Sequence, residues 1–170
     1  SDDLVFDDFF DMKKKSGTLR YAVIRATSSG DSSISFVVNS DSSRLQNCFD
    51  VVKKFAAKTT ASNIVVTYVP HNTDVSISGE YFVIKGRDML RTKCFGRDFE
   101  FSVQGFFQNN SEMADEMHAY VHGVLKHQVS LSSANKYAML LDLYGGVGTF
   151  GINNAGLFKK VITVESVAPC

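Results

Sequence analysis

The stretch LLDLYGGVGTFGI, residues 140–152, decides how the rest of the chain is read. The apolar run Met139–Leu143 predicts a buried strand, Gly145, Gly146 and Gly148 a tight turn, and the residues from Val147 or Gly148 onward the start of a helix. Glycines there let the backbone turn sharply and approach a ligand with no Cβ in the way, while a helix start presents N–H groups that lack intrahelical partners. The next strand, KVITVE, ends on Glu165, seventeen residues beyond Gly148, where a carboxylate can accept hydrogen bonds from both hydroxyls of a ribose. Strand, glycine loop, helix, strand and acid predict the opening β-α-β unit of a parallel doubly wound fold suited to an adenine cofactor. Eighteen residues follow Ile152, room for one further strand. The unit is therefore expected to be the first part of a larger α/β domain.

Two cofactors suit this pattern. GVGTFG reads as the GxGxxG dinucleotide fingerprint, with Glu165 as the ribose acid of an NAD enzyme. DLYGGVG reads equally as the first motif of an S-adenosylmethionine methyltransferase, in which an acid, here Asp142, precedes the glycines. An acid buried at the end of a strand needs partners. The cofactor's ammonium group or the loop N–H groups could supply them. Without a ligand, the same glycines would make a turn and nothing more.

Composition narrows the field. Of 170 residues, 44% are hydrophobic, which is enough for a globular core, and 18 basic residues balance 18 acidic ones. No global positive field marks the chain as a nucleic-acid or membrane binder, so any RNA contact has to come from a local patch. Cys48, Cys94 and Cys170 are widely spaced and form no CxxC pair, which argues against a disulfide framework or zinc ribbon and fits a reducing, cytoplasmic setting. There is no signal-like start and no apolar run long enough for a membrane span.

Upstream of the glycine loop, residues 1–16 mix acids, aromatics and a lysine run and predict an irregular arm. Residues 17–103 predict an α+β domain. LRYAVIRAT and SISFVVN read as a hairpin across SSGDSS. A helix capped by Asp41 or Ser42 then presents Leu45, Cys48, Phe49, Val52, Phe55 and Ala56 on one face, and NIVVTYV, YFVIKG, MLRTKCF and FEFSV follow as strands. The helix is expected to cover one face of a mainly antiparallel sheet. Residues 104–170 form the second domain, with a helix over about Ser111–His127 whose apolar set is Met113, Met117, Tyr120, Val121, Val124 and Leu125, then a linker, QVSLSSANK. His118 and His122 stand one helical turn apart, but without the glutamate of HExxH they predict an exposed polar face, and no metal site is assigned.

FFQNN at residues 106–110, a helix, LLDLYGGVGTFGI and VITVE in that order resemble the uracil-5 RNA methyltransferases, whose usual forms are FFQ(x)N and DLYCGVGTF. GTLRYAVIRAT is similar to the start of that family's central domain, and GRDFEFSVQGFFQNN to its exit into the catalytic domain, so the resemblance covers most of residues 17–166. It implies an α+β central, RNA-contacting domain followed by the first part of a Rossmann-like class I methyltransferase domain, with S-adenosylmethionine as cofactor and tRNA or rRNA as substrate. It implies that Gln108 contacts the cofactor, that Tyr144 and Thr149 line its pocket with Asp142, Gly146 and Gly148, and that Glu165 holds the ribose. Phe106 and Phe107 would offer π-faces to a flipped base, or else pack into the core. Gly145 departs from the family's usual cysteine.

In that chemistry a cysteine thiolate adds to C6 of uracil, the enolate attacks the sulfonium methyl, and a base removes the C5 proton. The family's cysteine and glutamate for these steps lie downstream of the first glycine motif, beyond residue 170. No catalytic residue is therefore assigned here, and the chain is expected to be inactive alone and to dimerise through its incomplete sheet. None of the three cysteines has a base placed beside it by motif, although basic neighbours could lower the Cys94 pKa. Lys85, Arg87, Arg91, Lys93 and Arg97 cluster within thirteen residues, and Arg87, Arg91 and Lys93 are assigned to RNA, with a solvated strand pair as the alternative. A fragment of an NAD oxidoreductase and a non-catalytic RNA-binding module remain the competing readings.

Overall fold

The computed structural model describes residues 6–131 and 139–167. The chain divides into two units, residues 1–90 and 91–170. This break lies inside a strand, thirteen residues ahead of the boundary expected at residue 103. The reason is that the hairpin around residue 95 makes its contacts with the elements after it: the Phe95 N–H donates to Asp115 Oδ1 at 2.6 Å, and the Phe95 ring packs on His118 and His122.

In the first unit, β1 (Leu19–Ala26), β2 (Ser32–Asn39), β3 (Asn63–Val69) and β4 (Tyr81–Lys85) form one sheet in the order β1-β2-β3-β4. β1 and β2 make the expected hairpin, closed at Thr27–Asp31 with Gly30 at φ 78°. β1/β2 and β3/β4 pair antiparallel, as the mainly antiparallel expectation has it, but β2 and β3, joined through α1 (Leu45–Lys58), run parallel, so the sheet is mixed at its centre. The crossover helix explains this, since a helix between two neighbouring strands carries the chain back to start the second in the same direction. Cys48, Val52 and Ala56 of α1 close over Phe36, Val38, Ile64 and Val66. The other face of the central strands is also buried at Val37, Val65, Thr67 and Val69, as their near-continuous apolar sequences require.

The α1 cap differs from expectation. Arg44 occupies the cap position with no side-chain cap bond, because Asp41 is bound to the His71 N–H and ring at 2.9 and 2.6 Å, and Ser42 Oγ accepts from the Arg44 N–H. The segment after residue 5 also departs from a loose arm. Phe9 bridges to Leu19, Phe6 stacks on Phe36 at 5.6 Å, and Asp11 accepts the Lys13 and Lys14 N–H groups in a turn. Gly17, at φ 108°, permits this close return, since a Cβ there would overlap the Phe9 backbone.

The second unit holds β5 (Met89–Cys94), which starts just before the break, and β6 (Arg97–Ser102). Their two-residue turn, Phe95-Gly96, has φ of 51° and 75°, both positive as a tight hairpin turn with right-handed twist demands. α2 (Ser111–Ser130) is capped by Asn110, whose Oδ1 accepts the Met113 N–H at 3.0 Å. It runs through Gln128–Ser130, where the linker was expected; residues 132–136 of that linker lie outside the described residues. β7 (Met139–Leu143), α3 (Thr149–Asn154), a short 3₁₀ turn (Ala155–Leu157) and β8 (Lys160–Val164) complete the unit, and β7 pairs with β8 in parallel from Met139↔Lys160 to Leu143↔Val164. β7 thus begins at the first residue of the predicted apolar run; Ala138, just before it, lies outside the described residues.

α2 turns a different face inward from the one its apolar residues predict. Ala114 and His118 are buried, whereas Met113, Met117, Tyr120 and Val124 are exposed. His118 is 2% exposed, correcting the exposed polar face expected for it, and its ring lies 4.1 Å from that of Phe150 in α3.

Candidate cofactor loop

β7 aims Leu140 and Asp142 to the half-buried side of the strand and leaves Met139, Leu141 and Leu143 exposed. Asp142 thereby faces α3, and its Oδ2 accepts the Gly151 N–H at 2.9 Å. The partner that an acid at a strand end requires is thus a helix N–H. Helix-start donors read from the sequence as open to a ligand are spent in part on this side chain.

The loop between them is shaped by three consecutive constraints. Tyr144, Gly146 and Gly148 all have positive φ, at 58°, 56° and 79°. The Gly148 N–H closes onto the Gly145 carbonyl at 2.8 Å, and the Gly145 N–H bonds to the Val164 carbonyl at 3.1 Å, tying the turn to the end of β8. At Gly145 a Cβ would overlap the Thr163 methyl and lie 3.1 Å from Asp142 Oδ2. At Gly146, by contrast, nothing lies within 4 Å of where a Cβ would stand. Gly145 is therefore required for packing beneath the loop, and Gly146 leaves open space above it.

Glu165 stands at that open side. Its Oε2 accepts the Gly146 N–H at 2.9 Å, and its Oε1 accepts the N–H groups of Ser166 and Val167 at 2.7 and 2.8 Å. These bonds, the Val167 one foremost, hold its carboxyl below the usual glutamate range, so it is an anion at neutral pH. Tyr144, two residues before Gly146 in the loop, is 90% exposed, and Thr149 is half-buried at the first turn of α3. The structure thus brings Asp142, Tyr144, Gly146, Gly148, Thr149 and Glu165 together around one turn.

Other assigned residues are placed elsewhere. Gln108 is exposed in the segment before α2. Phe106 is 68% exposed, while Phe107 stacks on Phe101 at 4.6 Å. Each of the cations assigned to RNA has an acidic neighbour: Arg87 and Asp31 at 3.5 Å, Arg91 and Glu100 at 2.7 Å, Lys93 and Asp98 at 4.0 Å. Arg91, Lys93, Asp98 and Glu100 alternate outward along the two hairpin strands, which makes that surface nearly neutral. Asp98 and Glu100 stand in RDFE, residues 97–100, within nine residues of Arg91 and Lys93 in the sequence itself.

The two described cysteines are buried. Burial pushes the Cys48 thiol up to about 11, and burial together with Asp115 pushes Cys94 up also, the reverse of the effect expected from its basic neighbours. Cys170 lies outside the described residues. Sequence reading missed a buried polar cluster behind the loop, where Asn154 Oδ1 meets His122 Nδ1 at 3.0 Å and Asn153 faces His118. The NN pair at 153–154 on the inner side of so short a helix was its one available signal. No group of three or more potential metal ligands occurs among the described residues. No helix among them is long and apolar enough to cross a membrane.

No protein-family model matches the chain. An "uncharacterized RNA methyltransferase" of Caldanaerobacter subterraneus subsp. tengcongensis is 33% identical over 164 residues, covering 94% of this chain and 34% of that protein. A protein of the same description from Nanoarchaeum equitans is 27% identical over 158 residues, covering 93% of this chain and 33% of its own length. Among solved structures, the Pyrococcus abyssi tRNA (uracil-54, C5)-methyltransferase in complex with S-adenosyl-L-homocysteine superposes with a TM-score of 0.67 at 24% identity, over 93% of this chain and 36% of that one. The chain spans about a third of the length of these relatives. Along nearly its whole length the chain is thus similar in sequence to proteins described as RNA methyltransferases, and it shares the fold of part of a tRNA (uracil-54, C5)-methyltransferase.

Proposed function

We propose that residues 91–170 form part of the S-adenosylmethionine site of an enzyme that methylates C5 of a uridine in tRNA or rRNA. The observation that carries this reading is the Glu165 carboxylate, anionic and hydrogen-bonded to the Gly146 N–H on the uncrowded side of the glycine loop. The donor set fits the cofactor. Oε2 accepts one N–H in the described structure and so retains acceptor capacity for a ribose hydroxyl. Gly146 leaves room for a nucleoside to approach the backbone, and exposed Tyr144 offers a ring face beside it. S-adenosylmethionine, when bound, supplies the electrophilic methyl group. This chain's residues would bind and orient it: Glu165 the ribose, Asp142 the loop through Gly151, Tyr144 and Thr149 the flank, and Gln108 the far wall.

The chain by itself is proposed to be inactive. The covalent route needs a thiolate, and both described cysteines are buried with raised pKa values. The uncovered face of β7, with Met139, Leu141 and Leu143 each about half exposed, is the surface through which copies would associate in concentrated solution. Light scattering that shows only monomer at high concentration would count against that association.

The test of the cofactor reading is calorimetric titration with S-adenosylhomocysteine and, separately, with NAD. We expect selective S-adenosylhomocysteine binding, weakened by Glu165→Ala and by Gln108→Ala. Selective NAD binding insensitive to Gln108→Ala would overturn the reading in favour of an oxidoreductase.

A further inference from the structure

A groove in the first unit carries features that the cofactor loop does not use. Lys53, Ala56 and Ala57 of α1 face Phe82, Ile84 and Lys85 of the edge strand β4 across an open groove of about 520 Å³. Phe82 is 53% exposed, and its ring lies 5.7 Å from that of Phe49, which in turn carries the Lys53 ammonium 4.5 Å from its centroid. Lys85 Nζ donates to the Thr59 carbonyl at 2.8 Å, which fixes the second ammonium at the other side.

The charge of this groove is what distinguishes it. Arg87, Arg91 and Lys93, the cations that the sequence brings to notice, sit beside Asp31, Glu100 and Asp98. Lys53 and Lys85 have no carboxylate within ion-pair distance among the described residues; Lys53 rests on an aromatic ring and Lys85 on a carbonyl. Asp50, the acid nearest to Lys53 in sequence on α1, accepts from Gln46 at 2.9 Å. An exposed aromatic ring flanked by two cations without acidic partners is the combination that holds a single strand, the ring stacking a base and the ammonium groups gripping phosphates.

We infer that this groove binds a single-stranded segment of RNA, with a base stacked on Phe82 and the backbone phosphates held by Lys53 and Lys85. The inference rests on the RNA substrate of the proposed function, and it concerns a surface separate in sequence from the cofactor loop. Because stacking and phosphate contacts read no base edges, the groove positions the RNA without choosing its sequence.

Fluorescence anisotropy of a labelled oligouridylate on the 170-residue chain tests it. We expect Phe82→Ala to weaken binding by about tenfold, the effect of one lost base stack. Lys53→Gln with Lys85→Gln should make the slope of log affinity against log salt shallower by about 1.4, two phosphates at about 0.7 each. Phe82→Leu, which keeps the apolar contact, serves as a folding control, and melting curves should show all variants folded. Arg91→Gln with Lys93→Gln should leave affinity within about twofold, as expected when the same charges are already balanced by acids. Three results would overturn the inference: groove variants that bind as tightly as the parent, an abasic oligomer or polyglutamate that binds as well as the oligouridylate, or no RNA binding at low salt. The first leaves the RNA reading standing with another surface. S-adenosylhomocysteine binding is measured separately, so failure of the groove and failure of the methyltransferase reading are distinguishable.

Discussion

Gly145 stands against Thr163 so closely that any Cβ at residue 145 would overlap the Thr163 methyl. The cysteine usual at this position in the uracil-5 RNA methyltransferases would have to push the Thr163 side chain aside. We expect Gly145→Ala to cost about 1–3 kcal/mol as an overpacked site. Combining it with Thr163→Ser, which removes the methyl, should recover a large part of that cost. Urea unfolding of the two single variants and the double variant gives the coupling, and additive effects would show that the clash is relieved some other way.

Tyr144 adopts a left-handed backbone at φ 58° with its side chain 90% exposed. A non-glycine residue pays about 1 kcal/mol for that conformation with no burial to offset it. Tyr144→Gly should therefore raise stability by roughly that amount while weakening S-adenosylhomocysteine binding, a trade of stability against function at the loop. Denaturant midpoints and calorimetry on the same variant check both halves.

Glu165 predicts a pH dependence. Its folded-state pKa is depressed by the Val167, Gly146 and Ser166 N–H groups, so its contribution is fully present above the unfolded glutamate value and is lost as pH falls through the folded one. Glu165→Gln should lower the melting temperature at neutral pH and flatten the acid side of the stability profile. A variant profile parallel to the parent's below pH ~4.5 would rule out this role.

His118 predicts a second, distinct window. Burial lowers its pKa, with Asp115 and Asp142 opposing, so the folded protein keeps a neutral ring where the unfolded chain binds a proton. Stability is full above the unfolded histidine value of about 6.5 and falls as pH drops from there toward the folded pKa. His118→Gln should lose that slope, and proton NMR of the imidazole would report the titration directly.

Cys48 and Cys94 should resist alkylation in the native protein and react on unfolding, since both thiols are buried with raised pKa values. Iodoacetamide labelling followed by mass spectrometry reads this residue by residue. Rapid native labelling of Cys94 would show that the hairpin does not pack on Asp115 as described.

Short-range chemistry was written in the sequence. The strand, glycine turn, helix and Glu165 were legible because each depends on neighbours a few residues away: the apolar run of β7, the glycines of the turn, an acid at the end of β8; the burial expected of that run was not, since Met139, Leu141 and Leu143 stand exposed. The FFQNN and DLYGGVGTF pair carried the resemblance to RNA methyltransferases for the same reason. Whatever depends on a partner distant in the chain was decided by tertiary structure. The apolar stripe Met113, Met117, Tyr120 and Val124 has helical spacing, yet α2 buries Ala114 and His118 because Phe150 and Phe95 pack there. Arg91 and Lys93 look like a basic patch until the hairpin sets Glu100 and Asp98 beside them. The direction of β3 was likewise not in its own residues, since a buried apolar strand pairs either way and only the α1 crossover sets it parallel to β2. A side chain's periodicity tells which residues share a face, but the free energy of burying that face belongs to the surface it meets.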